Sequence, residues 1–376
     1  MARTNGNIYR DYRKGKKVKN RRFSLSFLLF VLDIIMFVAL LLLAAATIIC
    51  VITPKVTPEQ LGLLSTVVLG APIIYMVLLI VSLYWVLRWK WSIVIFSLIF
   101  VIIGSLSVKR YYRIDFKQKP QTNIKNCTKV VCYNIANNDS DSIVSALKAH
   151  NPNILCLQEY VSASKERWNE LGEKYTSTAN GSLDFSCEIF TKYRILKQGL
   201  IDSLPRFNAI WADLLIGKDT VRVINLHLKS TTITAQDMQF VEGHEYVLDT
   251  ARNSKLKSIA DKLAENNIFR SAQAKKVEEF IIASQPRKMI VCGDFNDVPL
   301  SYSYNLIAQS LVDTFIAAGS GYTYTFNGFF KLLAIDHMLT TEHFDILSYE
   351  VDYSMNYSDH YPIISRLKLK QDKKKQ

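Results

Sequence analysis

Met289-Ile290-Val291-Cys292-Gly293-Asp294-Phe295-Asn296-Asp297 sets a short apolar run directly against a glycine and a cluster of side chains that bind metals or handle protons. The same arrangement recurs along the chain. Lys129-Val130-Val131-Cys132-Tyr133 is β-rich and stops at Asn134; residues 154–157 stop at Gln158-Glu159; residues 221–228 contain His227. Residues 336–339 begin at Asp336, and Asp359-His360 precede the run 363–369. A further strand reads at 209–215. Between these runs the apolar period changes to that of a helix: Ile143, Val144, Ala146 and Leu147 fall on one face of residues 140–150, with Asp141 near the start and Pro152 beyond the end. Helices also fit residues 254–265 and 270–283. Short strands alternating with helices, without repeats or low-complexity tracts, make this half of the chain an α/β domain.

A carboxylate just after a strand is commonly a turn former or helix cap. Asn134, Glu159, His227, Asp294, Asn296, Asp336, Asp359 and His360 all lie at or beside a strand end, and all are of ligand or acid–base type. Turn chemistry does not account for so many. Ligand groups in α/β folds collect at strand ends.

In chain order, Tyr133-Asn134, Leu157-Gln158-Glu159, Asn225-Leu226-His227, Gly293 through Asp297, Ile335-Asp336-His337 and Ser358-Asp359-His360-Tyr361-Pro362 resemble the endonuclease/exonuclease/phosphatase superfamily. The resemblance covers about residues 127–370, and Arg270 with Gln273-Ala274 matches the family helix ahead of Gly-Asp-Phe-Asn. It implies a four-layer α-β-β-α sandwich of two packed mixed sheets with helices outside. It also implies hydrolysis of a phosphoester with Mg²⁺ (or Mn²⁺). Attack on phosphorus needs charge neutralisation, an activated water and a stabilised leaving group. By the resemblance, Glu159 is the main metal ligand, a hard oxygen donor for a hard cation, and Asn134 and Asp359 complete or support the shell. Asp294 orients and deprotonates the attacking water, and Asn296 contacts phosphate. His360 binds or protonates a phosphate oxygen in the tautomer set by Asp336, and His227 is a second phosphate contact. Two positions depart from the pattern: His337 replaces a common Tyr, and Arg194 stands where Pro is usual. Asn225-Leu226-His227 favours the phosphatase and phosphodiesterase branches over the abasic-site nucleases.

The other half of the chain is apolar. Residues 24–52, 61–87 and 91–108 are each long enough to cross a hydrocarbon core, which takes about 20 helical residues. A signal peptide would have an apolar stretch half as long as the first of these. The organisation expected is a basic cytoplasmic stretch (1–23), a transmembrane region of about three helices (24–108), a linker (109–126), the catalytic domain (127–370) and a basic tail (371–376). Nine Lys/Arg between Arg3 and Arg22, with the basic Arg88-Trp89-Lys90-Trp91 connection, orient the N-terminus inward and the catalytic domain outward, making a multi-pass protein with an extracytoplasmic enzyme. Lys109, Arg110, Arg113, Lys117 and Lys119 oppose this orientation. Asp33, the one acid in the first run, reads as a group paired within the bundle or lying near its cytoplasmic end.

The net charge of +13 is not a nucleic-acid signature, because of where it lies. Residues 1–108 hold 12 Lys/Arg against three acids, whereas residues 109–376 hold 34 against 30, and five of those lysines fall between Lys368 and Lys375. The body of the domain is near neutral. Six cysteines show no metal spacing; Cys132, Cys156 and Cys292 read as core residues, and one disulfide stays open without a preferred pair. Three functions follow: a membrane-tethered phosphodiesterase or phosphatase on lipid headgroups or small phosphoesters, a tethered nuclease, and a non-catalytic scaffold. The phosphoester (lipid, small molecule or nucleic acid) and the membrane are the only partners implied. Residues 230–267 read as a solvated helical excursion or a substrate-selecting lid. Tyr322, Tyr324, Phe326, Phe329 and Phe330 are suited to stacking bases, dipping into lipid or packing.

Overall fold

The computed structural model describes residues 7–114, 127–160, 168, 171, 176–177, 186–201, 208–231, 236–237, 240, 250–284 and 287–370. Two compact units share it: Met1–Ile48 with Ile73–Gly104, and Ile49–Pro72 with Ser105–Gln376.

The first unit is built from the helices Asn7–Ile52, Ala71–Leu87 and Trp91–Val108. Leu25–Lys55, Pro58–Leu87 and Trp91–Val108 are long and apolar enough to cross a membrane. Leu40, Leu78, Val81, Trp85 and Val94 form its core. Asp33 is paired, as one of its two readings required: Arg88 Nε and Nη2 donate to its two oxygens at 2.8 and 2.7 Å, and the Tyr84 hydroxyl donates to Oδ1.

The run 61–87 does not become one helix. Gly62–Gly70 is a 3₁₀ helix belonging to the second unit, and the α-helix starts only at Ala71. Gly62 is in the left-handed region (φ +54). Ser65 and Thr66 hydroxyls donate to the carbonyls three residues back, at 2.7 and 2.8 Å, which favours the tighter winding.

The second unit contains β1 (Tyr112–Arg113), β2 (Thr128–Asn134), β3 (Ile154–Tyr160), β4 (Thr176–Ser177), β5 (Ser186–Thr191), β6 (Arg194–Leu200), β7 (Asn208–Ile216), β8 (Asp219–His227), β9 (Lys288–Asp294), β10 (Val312–Asp313), β11 (Gly321–Tyr322), β12 (Asp336–Thr340), β13 (Phe344–Val351) and β14 (Ile363–Leu369). Two six-stranded sheets run β10-β12-β9-β8-β7-β6 and β13-β14-β2-β3-β5-β4. Both are mixed: β8–β9 and β2–β3 are parallel and the other pairs antiparallel. Their inner faces meet over Val130, Cys132, Ile154, Cys156, Val223, Ile290 and Cys292. The helices Thr250–Ala283 and Tyr302–Ala308 cover the outer face of the first sheet, through Ala274, Val277, Ile281, Tyr304 and Ile307. The helix Asp141–His150 covers the second through Ile143, Val144 and Leu147. This is the expected α-β-β-α sandwich.

The two helices expected at 254–265 and 270–283 are one. Asn266 and Asn267 suggest a break, but Asn266 Nδ2 donates to the Thr231 carbonyl (2.9 Å) as well as to the Lys262 carbonyl one turn back (2.8 Å), and Asn267 Nδ2 to Ser65 (2.9 Å), so partners outside the helix hold both side chains and the helix runs through. Half of the 230–267 stretch is thereby the start of this helix; Val241, His244, Tyr246 and Val247 lie outside the described residues. Cys132, Cys156, Cys187 and Cys292 are free thiols that pack between the sheets. The stretch read as a linker contains β1, which pairs with β11. The side chains of residues 1–24 and all of 115–126 and 371–376, including the expected basic segments, lie outside the described residues.

Candidate active site

Parallel pairing of β2 with β3 and of β8 with β9 brings four carboxyl ends to one edge of the sandwich. The register sets Asn134 opposite Gln158 and His227 opposite Asp294. β12 runs antiparallel to β9, so its first residue, Asp336, falls opposite Asp294 as well. Gly293 is required where β9 meets β8: its φ is +148, and a Cβ there would stand 1.9 Å from the Leu226 carbonyl oxygen. On β3 the ladder with β5 shifts between Leu157 and Tyr160, and Glu159 adopts a left-handed φ of 52 at that bulge. Backbone strain of this sort on a non-glycine residue is concentrated at functional sites, because the fold must hold it there.

Asp294 is the centre of the cluster. It is 1% exposed, and Asn134 Nδ2 and Asn296 Nδ2 each donate to its Oδ2 at 3.0 Å. His227 Nε2 stands 3.6 Å and His360 Nε2 3.8 Å from the same oxygen. Asn134 Nδ2 also reaches Glu159 Oε1 (3.2 Å), and His227 Nε2 lies 3.7 Å from that oxygen. His360 Nδ1 donates to Asp336 Oδ2 at 2.8 Å. Burial alone would lower the His360 pKa, but Asp336 and Asp294 outweigh it and push it up to about 10. Burial raises the Asp336 carboxyl, with His360 opposing, so the pair holds a proton between them.

Seven of the eight residues singled out in the sequence therefore form one network. The eighth, Asp359, is exposed. It accepts from Ser358 Oγ at 3.3 Å, and its charge adds to the upward push on His360. Ser358 Oγ also donates to the Asn134 carbonyl at 2.8 Å, tying the β14 side of the site to β2. Asn137 was not foreseen: its Nδ2 donates to Glu159 Oε2 at 3.2 Å from a left-handed turn (φ 58). The turn-forming pair Asn137-Asn138 was its only sequence signal. Thr325, also unforeseen, accepts the Asp336 amide at 3.0 Å. His337 packs instead of reacting: its ring lies against Phe295 and Tyr304, and Nε2 meets the Asp297 carbonyl at 2.9 Å. Arg194 opens β6 and pairs with Leu215.

The donor set suits a hard divalent cation. It is oxygen-rich, no cysteine joins it, and two buried atoms, His227 Nε2 and Asp336 Oδ1, have no hydrogen-bond partner. The ligand atoms of Asp294, Asp336 and His360 lie within 4.8 Å of one another. The family model described as the Endonuclease/Exonuclease/phosphatase family matches residues 131–360, a span that includes every residue of this network. The chain belongs to that family. As a member of the Endonuclease/Exonuclease/phosphatase family it is a phosphoester hydrolase, and family enzymes generally use divalent metals. A second family model, described as a domain of unknown function, matches residues 26–111.

Similar solved structures include an endonuclease/exonuclease/phosphatase from Bacteroides vulgatus, at 18% identity over 65% of this chain and 100% of that one, with a TM-score of 0.49. The human Nocturnin catalytic domain is 19% identical over 65% of this chain and 94% of its own, with a TM-score of 0.47. A mannosyl-6-phosphatase of Bacteroides thetaiotaomicron is 17% identical over 64% and 99%, also with a TM-score of 0.47. Comparison with curated proteins gave no match.

Proposed function

We propose that the protein is a membrane-anchored phosphodiesterase or phosphatase that cleaves lipid headgroups or small phosphoesters with Mg²⁺ (or Mn²⁺), using residues 127–370 as its catalytic domain. The observation that carries the chemistry is the convergence of Asn134, Asn296, His227 and His360 on one buried oxygen of Asp294. Glu159 is the principal metal ligand, with Asn134 and Asp359 completing or supporting its shell. When bound, the cation neutralises phosphate charge and acidifies water. His360 Nδ1 is already engaged by Asp336, so the harder oxygens around Glu159 are the better cation site. Asp294, held by side-chain amides on Oδ2 and by the Asn296 backbone N–H on Oδ1 (2.7 Å), orients the attacking water and takes its proton. Asn296 Nδ2 donates to the Asp294 carboxylate and the Leu228 carbonyl (3.0 Å each), and contacts phosphate by exchanging one of these two acceptors for a substrate oxygen. His227 and His360 offer Nε2 donors to phosphate oxygens, and Asp336, accepting from Nδ1, holds the His360 ring as the imidazolium whose Nε2–H does so.

Charge favours a small or membrane-borne substrate over a polyanion. A nuclease grips many phosphates with Lys and Arg, whereas residues 109–376 carry 34 cations against 30 acids. Apolar surface stands near the site: Phe330 is 56% exposed, in the same loop as Phe326, whose ring lies edge-on to His360.

An outward-facing catalytic domain is the orientation we favour. Residues 49–72 and 105–376 share one compact unit, which supports an even number of crossings between them, and the N-terminal cations favour the inside for residue 1. Two of the five cations that oppose this orientation are occupied by the fold: Arg110 Nη1 donates to the Pro299 carbonyl and Arg113 Nη1 to the Ile316 carbonyl, both at 2.8 Å.

The test is turnover by the full-length protein in lipid nanodiscs with Mg²⁺, on soluble phosphoesters, anionic phospholipid, duplex DNA and RNA at physiological salt. Lipid or small phosphoester should be cleaved fastest, and deleting residues 371–376 should weaken action on anionic vesicles alone. Rapid degradation of DNA or RNA without turnover of the others would make the protein a tethered nuclease. Absence of any Mg²⁺-dependent turnover would leave the scaffold.

A further inference from the structure

The segment between the first two apolar helices lies against the enzyme, and its hydrogen bonds lead to the catalytic loops. In a 3₁₀ helix every third residue falls on one face. Within Gly62–Gly70 and the residue that follows, that face is Ser65, Val68 and Ala71, all buried. A nine-residue 3₁₀ run is well beyond the three or four residues usual for this winding, and the stripe it aligns is the reason it pays to keep it. Ser65 Oγ accepts from Asn267 Nδ2 at 2.9 Å, and Ser271 Oγ donates to Glu59 Oε1 at 3.2 Å.

Asn267 is itself committed. Its Oδ1 accepts from Arg270 Nη2, so Ser65 sets which way the buried amide points. Arg270 is 1% exposed and spans two loops: Nη1 donates to the Lys229 carbonyl (2.9 Å), and Nε faces Asp297 Oδ2 at 3.4 Å. These loops follow β8 and β9. Between them they hold Asn296, through the Leu228 carbonyl on one side and the chain bond to Asp297 on the other. A guanidinium is a rigid planar fork, so its orientation fixes the spacing of whatever it bridges.

We propose that residues 53–70 are a positioning element of the active site, acting through Ser65, Asn267 and Arg270 to set the two loops that carry Asn296. The segment between the first two apolar helices thus supplies part of the catalytic scaffold. Removing the Ser65 hydroxyl leaves the Asn267 amide a buried unmatched donor, free to turn away from Arg270.

The experiment uses full-length protein in nanodiscs, with Ser65→Ala, Asn267→Leu and Asn267→Asp. The last keeps an acceptor for Arg270 and lets the Ser65 hydroxyl donate. With bis(p-nitrophenyl) phosphate and Mg²⁺, Ser65→Ala should lower kcat about three- to tenfold, the loss of one buried hydrogen bond, with KM unchanged. Asn267→Leu should lose more, and Asn267→Asp should recover most of it. Amide exchange should quicken at residues 228–229 and 295–298 in Ser65→Ala while β2 and β14 keep wild-type protection. Unchanged kcat in both Ser65→Ala and Asn267→Leu overturns the proposal, and so does exchange that quickens evenly across both sheets. The kinetic arm rests on the hydrolase reading and the exchange arm does not: local loosening in a protein that cleaves no phosphoester upholds the positioning and rejects the hydrolase.

Discussion

Asp33 and Glu159 are both acids set among apolar residues, in the two different units of the chain, and their surroundings differ in one respect that decides what each can do. Asp33 meets a full counter-charge: Arg88 grips both its oxygens and Tyr84 adds a donor. Glu159 has no Arg or Lys among its hydrogen-bond and ion-pair partners in the described residues; Asn134, Asn137 and His227 face it, while Asp294 and Asp336 add further carboxylates to the same network. An internally neutralised acid is a structural joint. An acid left with amide and imidazole donors, and with more acids beside it, has negative charge to spare for a cation brought from outside, the basis of metal-assisted phosphoryl chemistry.

The contrast is broken or sharpened most by changing Glu159. Glu159→Gln should abolish Mg²⁺-dependent hydrolysis, on the order of a thousandfold or more, with an unchanged melting temperature, and EDTA should do the same to the wild type; a fully active Glu159→Gln in metal-free buffer would end the metal assignment. Next, Asp294→Asn and His360→Ala should each cost at least about a hundredfold. Measured together in a double-mutant cycle, they should lose little more than the worse single change, because they serve one transition state. A double loss equal to the product of the two single losses would mean they work separately. A smaller effect is expected at the exposed apolar rim: Phe330→Ser should slow cleavage of vesicle-borne phosphoester about three- to tenfold, the scale of one aromatic side chain losing its apolar contact, and leave soluble substrates alone. Equal slowing of both would show Phe330 to be packing. Least affected should be turnover in variants of the neutralised pair. Arg88→Met should cut the yield of monodisperse protein, Asp33→Asn combined with Arg88→Met should restore much of it, and turnover per folded molecule should stay within about twofold, as expected of sites with no shared partner. A loss of turnover that tracks the charge at Asp33 would make the unit of apolar helices an active participant.

What could be read from the sequence follows from burial. Strands β2, β3, β8, β9, β12 and β14 are buried along most of their length and show as apolar-rich runs, and the site residues lie at or beside their ends. Strands β6 and β13 were missed because they are edge or near-edge strands with half-exposed polar residues, and their apolar content is too low to signal. In the site, carboxylates and histidines were legible because their chemistry is rare at strand ends. Asn137, Thr325 and Ser358's link to Asn134 act through single hydrogen bonds, for which ordinary turn residues serve, so their roles needed coordinates. The 61–70 stretch misled for a simple reason: hydropathy records what a side chain prefers and not which solvent-free surface receives it, and Leu63 to Leu69 read alike against lipid or protein. The joined helix across Asn266-Asn267 escaped notice because both amides find partners far off in sequence.

That last pairing has a consequence for how the protein is made. Ser65 and Asn267 are 202 residues apart, so at the roughly 5–20 residues per second of translation the early segment waits about 10–40 s for its partner to be synthesised. During that interval two further apolar helices are made. The enzyme therefore closes around a piece laid down long before, and anything that diverts that piece in the meantime postpones the onset of activity well after the last residue has left the ribosome.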